Sequence, residues 1–295
     1  MNQKTIYALG FFDGVHLGHQ ALLKACRELA DAHICQAGVV TFTVHPDGPV
    51  SGNAPLLLNT NDDKAQLLTA YGMDCVVQLP FDDTLKTTHW SSFLTQLVQS
   101  GAAGFVCGSD FRFGAGAVGT AKKLAAYCES REMPFSIVPQ QLLDSIRVSS
   151  THIRELIKAG DIQTANRFLG HPHILSGQVI PGKQLGRTLG FPTANLHLPA
   201  YVLPPRFGVY ACKATVDGNV YTAVTNVGTR PTVNGDGVTA EAHLLDFQGD
   251  LYGKTLTLAF YAFLRPEKKF DSVTQLQEEI LKNTVETRNF FEKSE

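Results

Sequence analysis

The stretch Gly10-Phe-Phe-Asp13-Gly14-Val-His16-Leu-Gly18-His19 constrains this chain more than any other. It follows a short β-rich run, Thr5-Ile6-Tyr7-Ala8-Leu9, and precedes a segment in which Leu22, Leu23, Cys26 and Leu29 recur at helical spacing. The motif is therefore a strand-to-helix loop. Gly10, Gly14 and Gly18 let backbone close in on a bulky group, and the N–H groups that open the next helix favour an anion. His16 and His19, three apart, point the same way once the loop winds into its first helical turn. Two imidazoles beside a helix N-terminus suit charge developing on a phosphoryl group in transit. A plain helix start with two exposed histidines is the competing reading, and the preceding Gly-x-x-Asp-Gly makes it the weaker one. The spacing is not Gly-x-Gly-x-x-Gly, and no Lys-Ser or Lys-Thr follows for a P-loop.

Further strands are expected at Gln36–Val44, Asp74–Leu79, Gly104–Gly108 and Phe135–Val138, with helices between them, so the first half reads as a parallel sheet built from right-handed βαβ units. Loops at the carboxyl edge of such a sheet are where ligands bind. One of them carries His45 before Pro46, a nucleotide contact or a simple loop histidine. Another, Asp110-Phe111-Arg112-Phe113-Gly114, combines aromatics, an arginine and glycine. It can wall a flat heteroaromatic ring, or equally tuck its rings into the core. The segment from Asn61-Asp62-Asp63 through Tyr71 reads as a scaffold helix. Ser149-Ser150-Thr151 then opens a helix with Arg154 one turn in, which is either a second anion clamp or a plain cap.

From Ile174 the hydrophobic period changes to two, and long helices return only near Ser272. Strands near 174–180, 207–216, 220–227, 238–246 and 255–264 predict a small antiparallel barrel with a terminal helix. Gly177-Gln-Val-Ile-Pro-Gly182-Lys183 has P-loop spacing, but Gln184 replaces the Ser or Thr and no helix follows. Thr193 and Asn195 lie two apart on an extended segment, so both can offer oxygens to one hard cation; as residues of a proline turn they can also be turn formers. Alternation groups Glu241, His243 and Leu245 on one face, which we expect to be the inward face of the barrel. A buried carboxylate there requires a reason, although a solvent-facing Glu241 stays open because Ala240 and Ala242 share the other face.

The 25 Lys and Arg against 27 Asp and Glu leave no basic footprint for nucleic acid. Six cysteines form no Cys-x-x-Cys pair, no signal segment opens the chain and no apolar run reaches membrane length. The expectation is a cytoplasmic protein acting on small molecules, with no membrane, nucleic-acid or protein partner implied.

Phe12-Asp13-Gly14-Val-His16-Leu-Gly18-His19-Gln resembles the adenylyltransferase half of bacterial bifunctional riboflavin kinase/FAD synthetases, and Ser-Ser-Thr-x-x-Arg resembles the second signature of His-x-Gly-His nucleotidyltransferases. Gly-x-Asp-Phe-Arg-Phe-Gly is similar to the flavin-side loop of that family. Gly186-Arg187-Thr-Leu-Gly190-Phe191-Pro-Thr193-Ala-Asn195 is similar to its riboflavin kinase signature. The segments after Asn226, Ala240 and Leu264 follow in the family's order. Phe11 stands where the family often has Asn, Asn283 where it often has Asp, and Val44 replaces the first proline of a Pro-His-Pro.

The resemblance implies an N-terminal Rossmann-like doubly wound sheet, residues 1–170, that joins FMN to AMP, and a barrel, residues 171–295, that phosphorylates riboflavin. It implies phosphate and nucleotide contacts at Gly10, Phe12, Asp13, Gly14, Gly18, Ser149, Ser150, Thr151, Gly182, Gly186 and Arg187. Flavin contacts would be Asp110, Phe111, Arg112, Phe113, Gly190, Phe191 and Arg265. Catalysis would fall to His16, His19, Arg154 and Glu241, with Thr193 and Asn195 on Mg²⁺ and ATP, riboflavin and FMN as the small molecules. Arg265 could equally be structural. A single-activity nucleotidyltransferase with a binding-only β domain, or a flavin-binding regulator, are the alternatives.

Overall fold

The computed structural model describes residues 4–52, 54–181, 190–232 and 235–293. Packing divides the chain into two compact units, Met1–Leu57 with Asn61–Ser150, and Leu58–Thr60 with Thr151–Glu295.

In the first unit the strands run β1 Thr5–Leu9, β2 Gln36–Phe42, β3 Cys75–Leu79, β4 Ala102–Gly108, a ribbon of β5 Arg112–Phe113 with β6 Gly119–Thr120, β7 Phe135–Val138, and a ribbon of β8 Leu142–Leu143 with β9 Ile146–Arg147. The main sheet has the order β3-β2-β1-β4-β7 with every pair parallel. Its helices are α1 Leu17–Ala32, α2 Asp47–Ser51, α3 Asn61–Ala70, α4 Asp83–Thr87, α5 Trp90–Gln99 and α6 Ala121–Glu129. Ile6, Ala8, Val39 and Val106 pack with Leu23, Cys26 and Ala30 of α1 and Leu68 of α3. Leu9, Val40, Phe105 and Cys107 pack with Phe93 and Leu94 of α5 and Leu124 and Cys128 of α6. Both faces of the sheet are thus covered, which is why the strand sequences are continuous apolar runs and not alternating ones. Strand order reverses between β1 and β4, so the crevice above their carboxyl ends is the topological switch point of a doubly wound sheet. The Gly10–His19 loop leaves β1 there.

The second unit begins with two helices, α7 Ser150–Ala159 and α8 Ile162–Leu169, separated at Gly160-Asp161. Then come β10 His173–Ile180, β11 Ala194–His197, β12 Gly208–Val216, β13 Asn219–Thr232, β14 Gly235–Leu244 and β15 Thr255–Pro266. They close a barrel in the order β10-β11-β14-β13-β12-β15, with every pair antiparallel. Strand β11 was not expected from the alternation; it is only four residues long and lies inside the proline-turn motif, too short to show a period. A C-terminal helix, Val273–Glu292, packs on β12 and β13, and Ser272 caps it by accepting the Gln275 N–H at 3.2 Å.

Candidate functional site

The loop after β1 winds through a 3-10 turn, Asp13–Val15, into α1. Phe12 (φ 58°) and Val15 (φ 39°) both adopt left-handed backbone, and Gly14 (φ 78°) lies between them. For a β-branched residue such as Val15 that conformation is strained, and strain held by a rigid surround is characteristic of ligand-gripping loops. His16 is the N-cap of α1, its Nδ1 accepting the His19 N–H at 3.2 Å. Neutral His16 therefore carries its proton on Nε2. The two imidazoles stack with centroids 3.6 Å apart and planes 10° from parallel, so the expected pairing of His16 with His19 is present. Gly18 leaves room for it, since a Cβ there would meet the His16 ring at 3.1 Å. Burial above all, then His16 and Lys64, hold the His19 imidazole well below its ordinary pKa, and its buried Nδ1 makes no hydrogen bond. His19 is thus neutral at pH 7, and what its ring can offer an anion is an N–H hydrogen bond and not a positive charge.

Ser150, the first residue of α7, donates its hydroxyl to the Asp13 carbonyl at 2.9 Å, so Ser150 is brought to the motif turn. Ser149 is half-buried beside it in sequence, and Thr151 is exposed. Arg154 is buried in α7, which the packing assigns to the second unit.

Sequence reasoning missed Lys64. It is 2% exposed in the first turn of α3, donates to the Phe42 carbonyl at 2.8 Å and lies 4.4 Å over the Phe11 ring. Its neighbour Asn61 donates to the next carbonyl, Thr43, at 2.8 Å, and Thr41 grips the Phe11 carbonyl at 2.7 Å. The only signal was one of sign: a cation in a first helical turn opposes the helix dipole and needs a partner elsewhere. His45 stands edge-on to Phe11 at 4.8 Å, so the position at which this chain departs from the family's Asn is flanked by His45 and Lys64.

Beyond the ends of β2 and β3 opens a cavity of about 790 Å³, lined by Phe42, Phe81, Phe93 and Phe113 with Arg112 at its rim. Phe111 stacks on Phe113 at 5.3 Å and packs with the core behind it. Arg112 and Phe113 of the proposed flavin loop therefore reach the cavity, whereas the Asp110 carboxylate is held by Arg147 and by Gln140 at 3.3 Å.

In the barrel, register sets Asn195 opposite Glu241 and Glu241 opposite Asn226, one polar row across β11, β14 and β13. Directly paired residues of adjacent strands carry their side chains on one face with Cβ atoms about 5 Å apart. The register thus sets Asn195 beside Glu241, a pairing between distant segments that the sequence alone does not indicate. The expected inward orientation of Glu241 is not observed. Ala240 and Ala242, both fully buried and paired with Val227 and Thr225, fill the narrow interior, and Glu241 and His243 face outward, half-buried. Alternation groups residues by face without saying which face is inside; a six-stranded barrel admits alanines inside more readily than a carboxylate. Thr193 lines a second cavity of about 590 Å³ with Val179, Leu244, Phe247 and Tyr252. Phe191, after Gly190, meets His243 edge-on at 5.6 Å, and the His243 Nδ1 lies 2.9 Å from the Pro192 carbonyl. Gly182, Gly186 and Arg187 lie outside the described residues. Arg265 is held by the C-terminal helix, at 3.2 Å from Glu279 and 3.3 Å from Asn283, a structural engagement.

The family models for FAD synthetase and riboflavin kinase match residues 1–152 and 169–291. The chain is 36% identical over 294 residues to the bifunctional riboflavin kinase/FMN adenylyltransferase of Listeria monocytogenes, covering 98% of this chain and 93% of that one. To the protein of the same name from Haemophilus influenzae it is 38% identical over 295 residues, covering 98% and 95%. A crystal structure from Streptococcus pneumoniae described as a macrolide-efflux protein superposes with a TM-score of 0.86 at 30% identity, over 98% of this chain and 95% of that one. Among the described residues no helix is long and apolar enough to cross a membrane. With both halves matched in one order and relatives aligned nearly end to end, the chain belongs to the bifunctional riboflavin kinase/FMN adenylyltransferase family.

Proposed function

We propose that this protein makes FAD from riboflavin in two ATP-dependent steps, FMN formation by the barrel half, residues 171–295, and FMN adenylylation by residues 1–170. The observation that carries the reading is the succession of two family matches, residues 1–152 and 169–291, each on a fold of its own kind. In adenylylation an FMN phosphate oxygen attacks the α-phosphorus of ATP, the α–β bridging bond breaks and pyrophosphate leaves. The nucleophile is already an anion, so the loop's task is positioning and charge stabilisation. His16, its Nδ1 occupied, donates through Nε2, and neutral His19 adds a second ring to the same phosphoryl group. The aromatic cavity rimmed by Arg112 is of a size and character to take the isoalloxazine ring.

In riboflavin phosphorylation Glu241 accepts the proton of the 5′-hydroxyl as the hydroxyl oxygen attacks the γ-phosphorus of ATP, the β–γ bridging bond breaks and ADP leaves. Mg²⁺ fits this end of the barrel. The donors are the neutral oxygens of Thr193 and Asn195, and no cluster of three or more His, Cys, Asp or Glu that could hold a metal occurs among the described residues. That donor set suits an ion carried in with phosphates. When bound, the ion would spread charge on the transferred group. All six cysteines are free thiols, which accords with work in the reducing cytoplasm.

Incubation of the protein with riboflavin, ATP and Mg²⁺, followed by chromatography, tests the reading. FMN and FAD should appear in that order. Neither flavin product would sink it, and FMN alone would confine activity to the barrel.

A further inference from the structure

Lys64 is a buried ammonium that the mechanism above does not use. A neutral amide would satisfy the Phe42 carbonyl as well, as Asn61 does for Thr43. Burying a charge is costly, and replacing a buried ion pair by apolar groups is often neutral or stabilising, so fold stability gives no reason for a cation here. Its surroundings give one. Asp13, 3% exposed in the 3-10 turn, is the acidic charge that acts on it, and Phe11, whose ring lies under the ammonium, begins the same loop two residues earlier. The ammonium joins the end of β2 to the start of the Gly10–His19 loop.

We propose that Lys64 is a positioning residue for adenylyl transfer: its ammonium, held between the Phe42 carbonyl and the Phe11 ring, fixes the Asp13 turn in the geometry that presents His16 and His19 to a phosphate. This rests on assigning FAD formation to the first unit. Burial brings the Lys64 pKa down to about 8, against the opposing pull of Asp13, so the tie loosens within the pH range of an ordinary assay. The charged and titratable groups around it are Asp13 in the turn, His16 and His19 at the start of α1, His45 across the Phe11 ring, and Asp62 and Asp63 on α3 itself. Burial holds the His19 imidazole well below its ordinary pKa, and substrate phosphates have a second pKa of about 6. Lys64 is the group of this cluster that burial brings to about 8.

The test uses the whole chain, with FAD formation from FMN and FMN formation from riboflavin both followed from pH 7 to pH 9.5. The expected kcat/KM for FAD formation falls on the basic side with an apparent pKa near 8. In kcat the fall moves to higher pH, because bound ATP stabilises the ammonium. Lys64→Met should lower kcat for FAD formation about 10²-fold at pH 7, the usual effect of a misplaced catalytic geometry, and abolish the basic fall. Lys64→Arg keeps the charge at every pH tested, so its profile should stay flat to pH 9.5. FMN formation should change in neither variant. A wild-type profile flat through pH 9, or Lys64→Met with unaltered kcat, overturns the proposal. If Lys64→Met fails to fold, the wild-type and Lys64→Arg profiles still decide. No FAD at any pH would instead overturn the assignment on which the proposal rests.

Discussion

At the scale of single residues, the two proposed reactions depend on groups of opposite kind. His19 is kept neutral by burial, with His16 and Lys64 adding to the effect, and in the proposed adenylylation it would act as a ring N–H donor. His19→Ala should lower FAD formation from FMN by about 10²-fold or more, as for removal of one donor to a developing anion, and leave FMN formation nearly intact. Initial rates of both reactions on the same preparation measure this, and an unchanged adenylylation rate would return the motif to a plain helix start. Glu241 is a carboxylate between two amides, Asn195 and Asn226, in register across three strands. Glu241→Gln keeps its shape and loses its basicity. Riboflavin phosphorylation should fall about 10²-fold or more while ATP binding, read by calorimetry, persists. Normal phosphorylation by this variant would make Glu241 a strand residue on an outward face and nothing more.

At the scale of elements, loops are set by what lies behind them. The proposed flavin loop rests on the start of α5: the Ala115 N–H is bonded to the Thr88 carbonyl at 2.8 Å, and a Cβ at Gly114 (φ 73°) would come within 2.6 Å of the Trp90 Cα. Gly114→Ala should therefore displace Arg112 and Phe113 and raise the KM for FMN at least about tenfold, with riboflavin phosphorylation unchanged. Equal KM values would mean that the loop does not bear on the flavin. Trp90 itself gives no such hint in sequence, because the contact joins residues 24 apart. The same limit explains what was and was not legible elsewhere. The order of strands and helices in the first unit follows from apolar runs and periods, and the His16–His19 pairing from a spacing of three. Lys64 looks in sequence like part of a scaffold helix because its partners, Phe42, Phe11 and Asp13, come from other segments. The face that Glu241 takes is not legible in sequence, because a period of two carries no inside or outside. For Arg265 the sequence permits two roles, and its partners Glu279 and Asn283 on the C-terminal helix come from a segment that the sequence does not connect to it.

At the scale of the whole molecule, the two units carry separate cores, and each should show its own response to conditions. In the second, His173 is 1% exposed against Phe260, and burial lowers its pKa to about 3. The unfolded chain binds this proton near pH 6.5 and the folded one does not. Stability is therefore complete above that pH and falls as the pH drops, by about 1.4 kcal/mol per unit, or about 2 kcal/mol by pH 5. The barrel's thermal midpoint should fall between pH 7.5 and pH 5 by clearly more in the wild type than in His173→Phe; equal shifts would exclude His173 as the source. The division between units bears on how the chain can be cut. The change of hydrophobic period suggests a boundary at 170, yet packing places the boundary at Ser150. Helix α8 explains the difference. It packs on β10 and β15 and buries Ile162, Phe168 and Leu169, while Asn166 donates to the Phe260 carbonyl at 2.8 Å and accepts the His173 N–H at 2.8 Å. A fragment beginning at His171 forfeits this cover, on the order of several kcal/mol for three large apolar side chains. A fragment beginning at Thr151 keeps it. The longer fragment should unfold cooperatively and make FMN from riboflavin, and the shorter should melt well below it or fail to fold. Equal thermal midpoints for the two would show that α8 is an appendage of the barrel and not part of its core.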